Sequence, residues 1–96
     1  MRVLIVDDHR VVIWGCRSLF AADASIQISE TSDANTGNLA FCRKHPEVTV
    51  IDTGLPDRSG LELAQRIFKK DSAARLVILG TNYASLSWPA PSRRAC

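Results

Sequence analysis

An α/β fold built on a parallel sheet is what the sequence predicts, on three observations. Val3-Leu4-Ile5-Val6 runs straight into Asp7-Asp8, and Val48-Thr49-Val50-Ile51 runs straight into Asp52. Short, nearly continuous apolar runs rich in β-branched residues read as strands buried on both faces, as in a parallel sheet. Helix-like segments alternate with the strand-like ones in the order β-α-β-α-β-α-β, the pattern of right-handed βαβ crossovers.

The first strand is Arg2–Val6, and Asp8 is placed to cap a helix over about Arg10–Ala22. Val12, Cys16, Leu19 and Phe20 fall at i, i+4, i+7 and i+8 and form its expected buried stripe, with Ile13 and Trp14 off it. Ile26-Gln27-Ile28-Ser29 alternates and reads as a strand near a sheet edge. Asp33 offers the next N-cap. The helix that follows, Ala34–Lys44, has weak propensity through Thr36-Gly37-Asn38, so it depends on Leu39, Ala40 and Phe41 packing on the sheet; Pro46 stops it. The third strand is Val48–Ile51. Residues 53–58 form a loop, Ser59 caps a third helix with Leu61, Ala64 and Ile67 inward, and Lys69 and Lys70 suit its negative end. The fourth strand is Leu76–Leu79. After Gly80 the pattern stops, and Ser85–Cys96, with two prolines and no usable period, reads as irregular.

Open parallel sheets place ligand sites beyond the carboxyl ends of their strands. With the first and third strands side by side, Asp7, Asp8 and Asp52 meet in one crevice. Three crowded negative charges repel, so either one takes up a proton or a cation settles among them. A hard divalent ion such as Mg²⁺ suits an all-oxygen nest. His9 reads as a helix-start residue and His45 as a surface loop residue, neither with partners at metal-ligand spacing.

Composition narrows the function classes. At 96 residues the chain is sized for one domain, and 46% hydrophobic content is ordinary for a globular core. A net charge of +2 is too small to argue for nucleic-acid binding, and the basic residues are scattered apart from Lys69-Lys70 and Arg93-Arg94. Cys16, Cys42 and Cys96 are odd in number and widely spaced, which argues against a disulfide framework and a zinc site. No apolar run approaches the roughly twenty residues of a membrane span, and the N-terminus lacks the pattern of a signal peptide. A cytoplasmic location without membrane contact is the expectation.

The residues also carry a family resemblance. Val3-Leu4-Ile5-Val6-Asp7-Asp8-His9, then Asp33-Ala34, Leu39-Ala40 and His45-Pro46-Glu47-Val48, then Val50-Ile51-Asp52 with Leu55-Pro56 and Gly60-Leu61-Glu62-Leu63, resemble the receiver domain of bacterial two-component response regulators. The Asp-Asp-His opening with Gly15 is similar to the NarL/FixJ subfamily. The resemblance covers about residues 2–79. It implies a CheY-like (flavodoxin-like) doubly wound parallel sheet of order 2-1-3-4-5, here incomplete at about four strands, with residues 1–82 as a truncated receiver and 83–96 as a tail outside the family pattern. It implies a phosphoacceptor module of a phosphorelay: Asp52 takes a phosphoryl group from a sensor histidine kinase, Asp7, Asp8 and Asp52 hold Mg²⁺, and the backbone carbonyl of Gly54 is a further ligand. Such a module is not an enzyme beyond its own phosphorylation and dephosphorylation.

The chain departs from that pattern in two places. The family ends its fourth strand with Thr or Ser, whose hydroxyl contacts the phosphoryl group; an ungapped reading from Asp52 puts Gly80 there, with Thr81 one step along. The family's Lys, at the end of the fifth strand, falls after this chain has finished. The expectation is therefore an impaired switch, shortened by a reading-frame change, with no DNA-binding output domain. Without a fifth helix, Val11, Ile13 and Trp14 are expected to face solvent or a partner. Two alternatives stand beside it. One is a pseudo-receiver that carries no phosphate and pairs with an intact regulator or a second copy. The other is a small Mg²⁺-dependent aspartyl phosphatase like the haloacid dehalogenase superfamily, although Gly54 stands where that chemistry wants a second Asp.

Overall fold

The computed structural model describes residues 1–80. Four strands, β1 (Arg2–Val6), β2 (Gln27–Thr31), β3 (Val48–Asp52) and β4 (Leu76–Leu79), alternate with three helices, α1 (Arg10–Phe20), α2 (Ala34–Lys44) and α3 (Gly60–Lys70). All pairings are parallel and the spatial order is β2-β1-β3-β4, so β1 and β3 are neighbours at the centre. Their burial follows from that position. Leu4, Ile5, Val6 and Ile51 are fully buried, whereas β2 and β4 are only partly covered. Each such side chain contributes about 1.5–3 kcal/mol by leaving water.

Alternation along the strands sorts the core into two layers. Leu4, Val6 and Ile51 face α2 and α3, meeting Ala34, Phe41, Leu63, Ala64 and Ile67. Val3, Ile5 and Val50 face α1, meeting Ile13, with Cys16, Phe20 and Leu79 at the margin. The expected stripe on the first helix is therefore corrected. Ile13 is its one buried residue and Leu19 is 80% exposed, because the helix is rotated by about one residue and meets the sheet through Ile13, Cys16 and Phe20. Val11 and Trp14 are exposed as expected. On α2, Gly37, Asn38, Ala40 and Phe41 face inward and Leu39 does not. On α3, Leu63 takes the inward place expected for Leu61.

Element ends also shift. The first helix closes at Phe20 rather than Ala22, and β2 begins at Gln27 and runs on to Thr31 rather than ending at Ser29. The N-cap of α1 is His9, which makes no side-chain cap, so Asp8 is not the cap. Backbone N–H groups of Val12 and Ile13 donate to the His9 carbonyl, which makes His9 the cap one residue after Asp8. Thr81 and residues 83–96 lie outside the described residues.

Two features fix the loop that follows β3. The first is Gly60, whose N–H donates to the Thr53 carbonyl at 3.0 Å. A Cβ on Gly60 would stand 1.9 Å from the Asp52 carbonyl oxygen and 2.9 Å from Ile51 Cγ2, so only glycine lets α3 begin against the end of β3. The second is Asp57. Its carboxylate accepts from Ala34 N at 2.8 Å and Asn35 N at 3.0 Å, while Asp33 accepts from Thr36 N at 2.7 Å. Three amides at the start of α2, which have no partner within the helix, are thus satisfied by two carboxylates. Asp57 is fixed below the ordinary aspartate range, first by the Ala34 amide and then by Asn35 and the loop's own amides.

Gly60→Ala forces α3 off the β3 terminus and is expected to destabilise the fold by about 1–3 kcal/mol or more, read as a lowered urea midpoint. Asp57→Ala is expected to lower the midpoint at neutral pH. Because the folded state holds Asp57 ionised more strongly than the unfolded chain, its contribution is complete above about pH 4 and is lost as pH falls through the lower folded value. The difference between wild type and variant therefore shrinks in acid, and urea midpoints measured from neutral to acid pH test it.

Candidate functional site

The site grows from the register of β1 on β3. Val6 lies opposite Ile51, so the next step along both strands sets Asp7 beside Asp52. By alternation both leave the α2/α3 layer and join the side that carries Ile5 and Val50, where α1 begins. The turn from β1 into α1 adds Asp8 and His9. One ligand atom from each of Asp7, Asp8, His9 and Asp52 lies within 4.8 Å of all the others. The structure thus brings together the three acids expected from sequence.

Their environments differ. Asp7 is 2% exposed; its Oδ1 accepts from the His9 backbone N–H and meets His9 Nδ1, both at 2.8 Å. Asp8 is more open, with Oδ1 3.2 Å from the same imidazole nitrogen. Asp52 is buried at 9% exposure, and its Oδ2 has no hydrogen-bond partner; His9 Nδ1 lies 3.4 Å from it. Among the described residues the buried side-chain oxygens without a partner are Thr31 Oγ1, Thr49 Oγ1 and Asp52 Oδ2, and only the last belongs to a carboxylate. A carboxylate oxygen withdrawn from water and left without a donor is costly unless a cation or a reacting group completes it.

His9 is the residue that sequence reasoning missed. The hydrogen bond to Asp7 and the charges of Asp8 and Asp7 hold its imidazole above the ordinary histidine range, against a small opposing effect of burial. The signal was adjacency: His9 follows Asp7-Asp8 directly, so its helix-start position delivers it to the strand tips. His45 has no such place. It ends α2 in the left-handed conformation, with φ 47°, at the other end of the sheet.

Three carboxylates at the tips of the two central strands suit a hard divalent ion, and the open valence at Asp52 Oδ2 fits Mg²⁺ held by Asp7, Asp8 and Asp52. The backbone of Gly54 runs alongside, since a Cβ there would stand 3.9 Å from Asp52 Oδ2. Gly80 follows β4, and a Cβ on it would meet Thr53 Oγ1 at 2.8 Å. A cleft of about 450 Å³ between the C-terminal ends of α2 and α3, lined by Phe41, Cys42, His45, Pro46, Lys70 and Asp71, holds none of these acids. Lys70 there is tied to Asn38 Oδ1 at 2.6 Å and Cys42 Sγ at 3.2 Å, far from the strand tips. No described helix is long and apolar enough to cross a membrane.

Comparison with known proteins shows the family and the fold. Residues 3–87 match the family model of the response regulator receiver domain. The DNA-binding transcriptional activator DevR/DosR of Mycobacterium tuberculosis is 34% identical over 88 residues, covering 88% of this chain and 39% of that protein. The chain thus spans under two-fifths of the length of the first curated relatives it matches. A two-component response regulator of the LuxR family from Aurantimonas sp. SI85-9A1 is similar with a TM-score of 0.75 at 30% identity, over 84% of this chain and 59% of that one. The response regulator protein TrrA, solved in complex with the histidine kinase ThkA, has the same fold with a TM-score of 0.76 at 24% identity, over 88% and 73% of the two chains.

An unpartnered buried carboxylate oxygen is expected to cost stability. Asp52→Asn removes a buried carboxylate one of whose oxygens has no hydrogen-bond donor, and it is expected to stabilise the metal-free chain by on the order of 1 kcal/mol. Thermal or urea unfolding in the presence of a chelator checks this; a loss of stability would count against an unsatisfied carboxylate.

Proposed function

The chain belongs to the response regulator receiver domain family, and from that premise we propose that its acidic cluster is a phosphoacceptor site, with Asp52 taking a phosphoryl group from a phosphohistidine of a sensor kinase. The observation that carries the reading is Asp52 itself: buried at the tip of β3, beside two further acids, with one oxygen free of any hydrogen bond.

Asp7, Asp8 and Asp52 would hold Mg²⁺, with the Gly54 carbonyl as a further ligand. When bound, the ion screens the negative charge that otherwise keeps a carboxylate and a phosphoryl group apart. The chain's own residues supply position. Gly60 and the Thr53 carbonyl fix the backbone on which Asp52 sits, and Asp57 ties the following loop to α2. An oxygen of Asp52 forms the new bond to phosphorus as the bond from phosphorus to the kinase imidazole breaks. The electron pair of that bond stays on the imidazole nitrogen, which takes up a proton. Phosphoryl transfer asks a protein mainly for alignment and charge neutralisation, and this arrangement offers both.

Gly80 tempers the rate. It stands where the family's hydroxyl residue would be, and losing one preorganised contact to the transferred group typically costs on the order of 10²–10³ in rate. The reading is thus a slow phosphoacceptor rather than an enzyme acting on other substrates. A sensor histidine kinase is the proposed partner, in line with the TrrA–ThkA complex.

Incubation with acetyl phosphate and Mg²⁺, followed by intact mass measurement, tests the reading. A phosphate adduct is expected on the wild type, removed by alkali or hydroxylamine as an acyl phosphate is, and absent from Asp52→Asn. No adduct on the wild type, or an equal adduct on the variant, would sink it.

A further inference from the structure

One nitrogen stands among the oxygens at the strand tips. His9 Nδ1 lies 2.8 Å from Asp7 Oδ1, 3.2 Å from Asp8 Oδ1 and 3.4 Å from Asp52 Oδ2. We propose that His9 is a fourth donor of the metal site and turns it towards first-row transition ions such as Mn²⁺ over Mg²⁺. The inference rests on reading the acidic cluster as a metal site and goes beyond it by naming a further ligand and the ion class it selects.

The spacing is that of a coordination shell. Neighbouring donors on a six-coordinate ion with bonds near 2.1 Å are about 3.0 Å apart, and the three distances from His9 bracket that value. The cluster also has an open valence, because Asp52 Oδ2 is buried beside it without a hydrogen-bond partner. Among the described residues nothing else requires the ring to be there. His9 is exposed, contributes no side-chain cap to α1 and belongs to neither core layer. Its backbone N–H already anchors the turn to Asp7 Oδ1, and the ring Nδ1 meets the same oxygen at 2.8 Å. What holds the imidazole in place is its set of carboxylate neighbours.

Ligand chemistry gives the selectivity. Mg²⁺ prefers oxygen and keeps much of its water, so an imidazole adds little to its binding. First-row transition ions gain from an imidazole nitrogen, and their affinity for mixed nitrogen–oxygen sites rises along the series from Mn²⁺. Coordination through Nδ1 leaves the ring proton on Nε2. The opposing account makes His9 a positive stand-in for the ion, and it predicts the opposite sign. Removing a stand-in frees the carboxylates and tightens every cation, whereas removing a donor weakens the transition ion selectively.

The test uses the full 96-residue chain, stripped of metal with a chelator and titrated at fixed pH with MnCl₂ and with MgCl₂ by calorimetry. His9→Ala and His9→Gln are expected to weaken Mn²⁺ on the order of tenfold and to leave Mg²⁺ within about twofold. Pulsed EPR of Mn²⁺ bound to the wild type is expected to show nitrogen hyperfine coupling, a readout that stands even where a variant folds poorly. Absence of that coupling, or Mn²⁺ binding that is unchanged or tighter in both variants, overturns the role of His9 while leaving the acidic site intact. If the wild type binds neither ion, the metal site itself fails and this inference with it.

Discussion

The pairing register of β1 on β3 is the constraint on which the rest of this molecule depends. Val6 opposite Ile51 buries both fully and forces the next residues, Asp7 and Asp52, to emerge side by side. A slip of β1 by one residue would turn Leu4 and Val6 towards α1 and send Asp7 into the α2/α3 layer, away from Asp52. The hydrophobic effect therefore secures a repulsion. The apolar surface buried by the two central strands outweighs the cost of two withdrawn carboxylates at their tips, and the acids have no other place to go.

That repulsion is held by neighbours whose work is geometric. Gly60 lets α3 start against the Asp52 carbonyl, and Gly37 lets α2 approach β1 so closely that a Cβ would stand 2.9 Å from both γ-carbons of Val6. Asp57 crosses from the β3–α3 loop to the amides of α2, so the loop beside Asp52 cannot shift without opening the start of a helix on the far layer. A change of charge at Asp52 thus presses on a backbone tied to two helices. Packed interfaces of this kind respond by switching between arrangements more readily than by gradual bending.

The architecture was legible from the sequence because its signals are short and local: two apolar runs ending in acid, caps at Asp33 and Ser59, and alternation of strand with helix. Which face of each helix turns inward was less legible. Leu19, Leu39 and Leu61 all read as core by spacing, yet Ile13, the Gly37–Asn38 pair and Leu63 took the inward places. These helices are apolar on more than one side or carry small residues on the buried side, so periodicity alone does not fix their rotation; close approach to the sheet does. His9 was overlooked for a related reason. Its partners are two adjacent residues and one forty-three positions away, a constellation that helical spacing cannot reveal and that strand register creates.

The same register explains the exchange at the end of β4. Asp52 pairs with Leu79, so the following positions, Thr53 and Gly80, stand opposite each other with the Thr53 N–H donating to the Leu79 carbonyl at 2.9 Å. Thr53 Oγ1 lies 2.8 Å from where a Gly80 Cβ would be, and its Cγ2 lies 3.3 Å away. The two positions compete for one volume. A side chain at 80 needs the Thr53 side chain to turn aside, and with glycine at 80 Thr53 keeps that space. Glycine at 80 is therefore one half of a packing choice made between neighbouring strands. A hydroxyl remains beside that strand end, carried by the residue next to Asp52 rather than by the strand across from it.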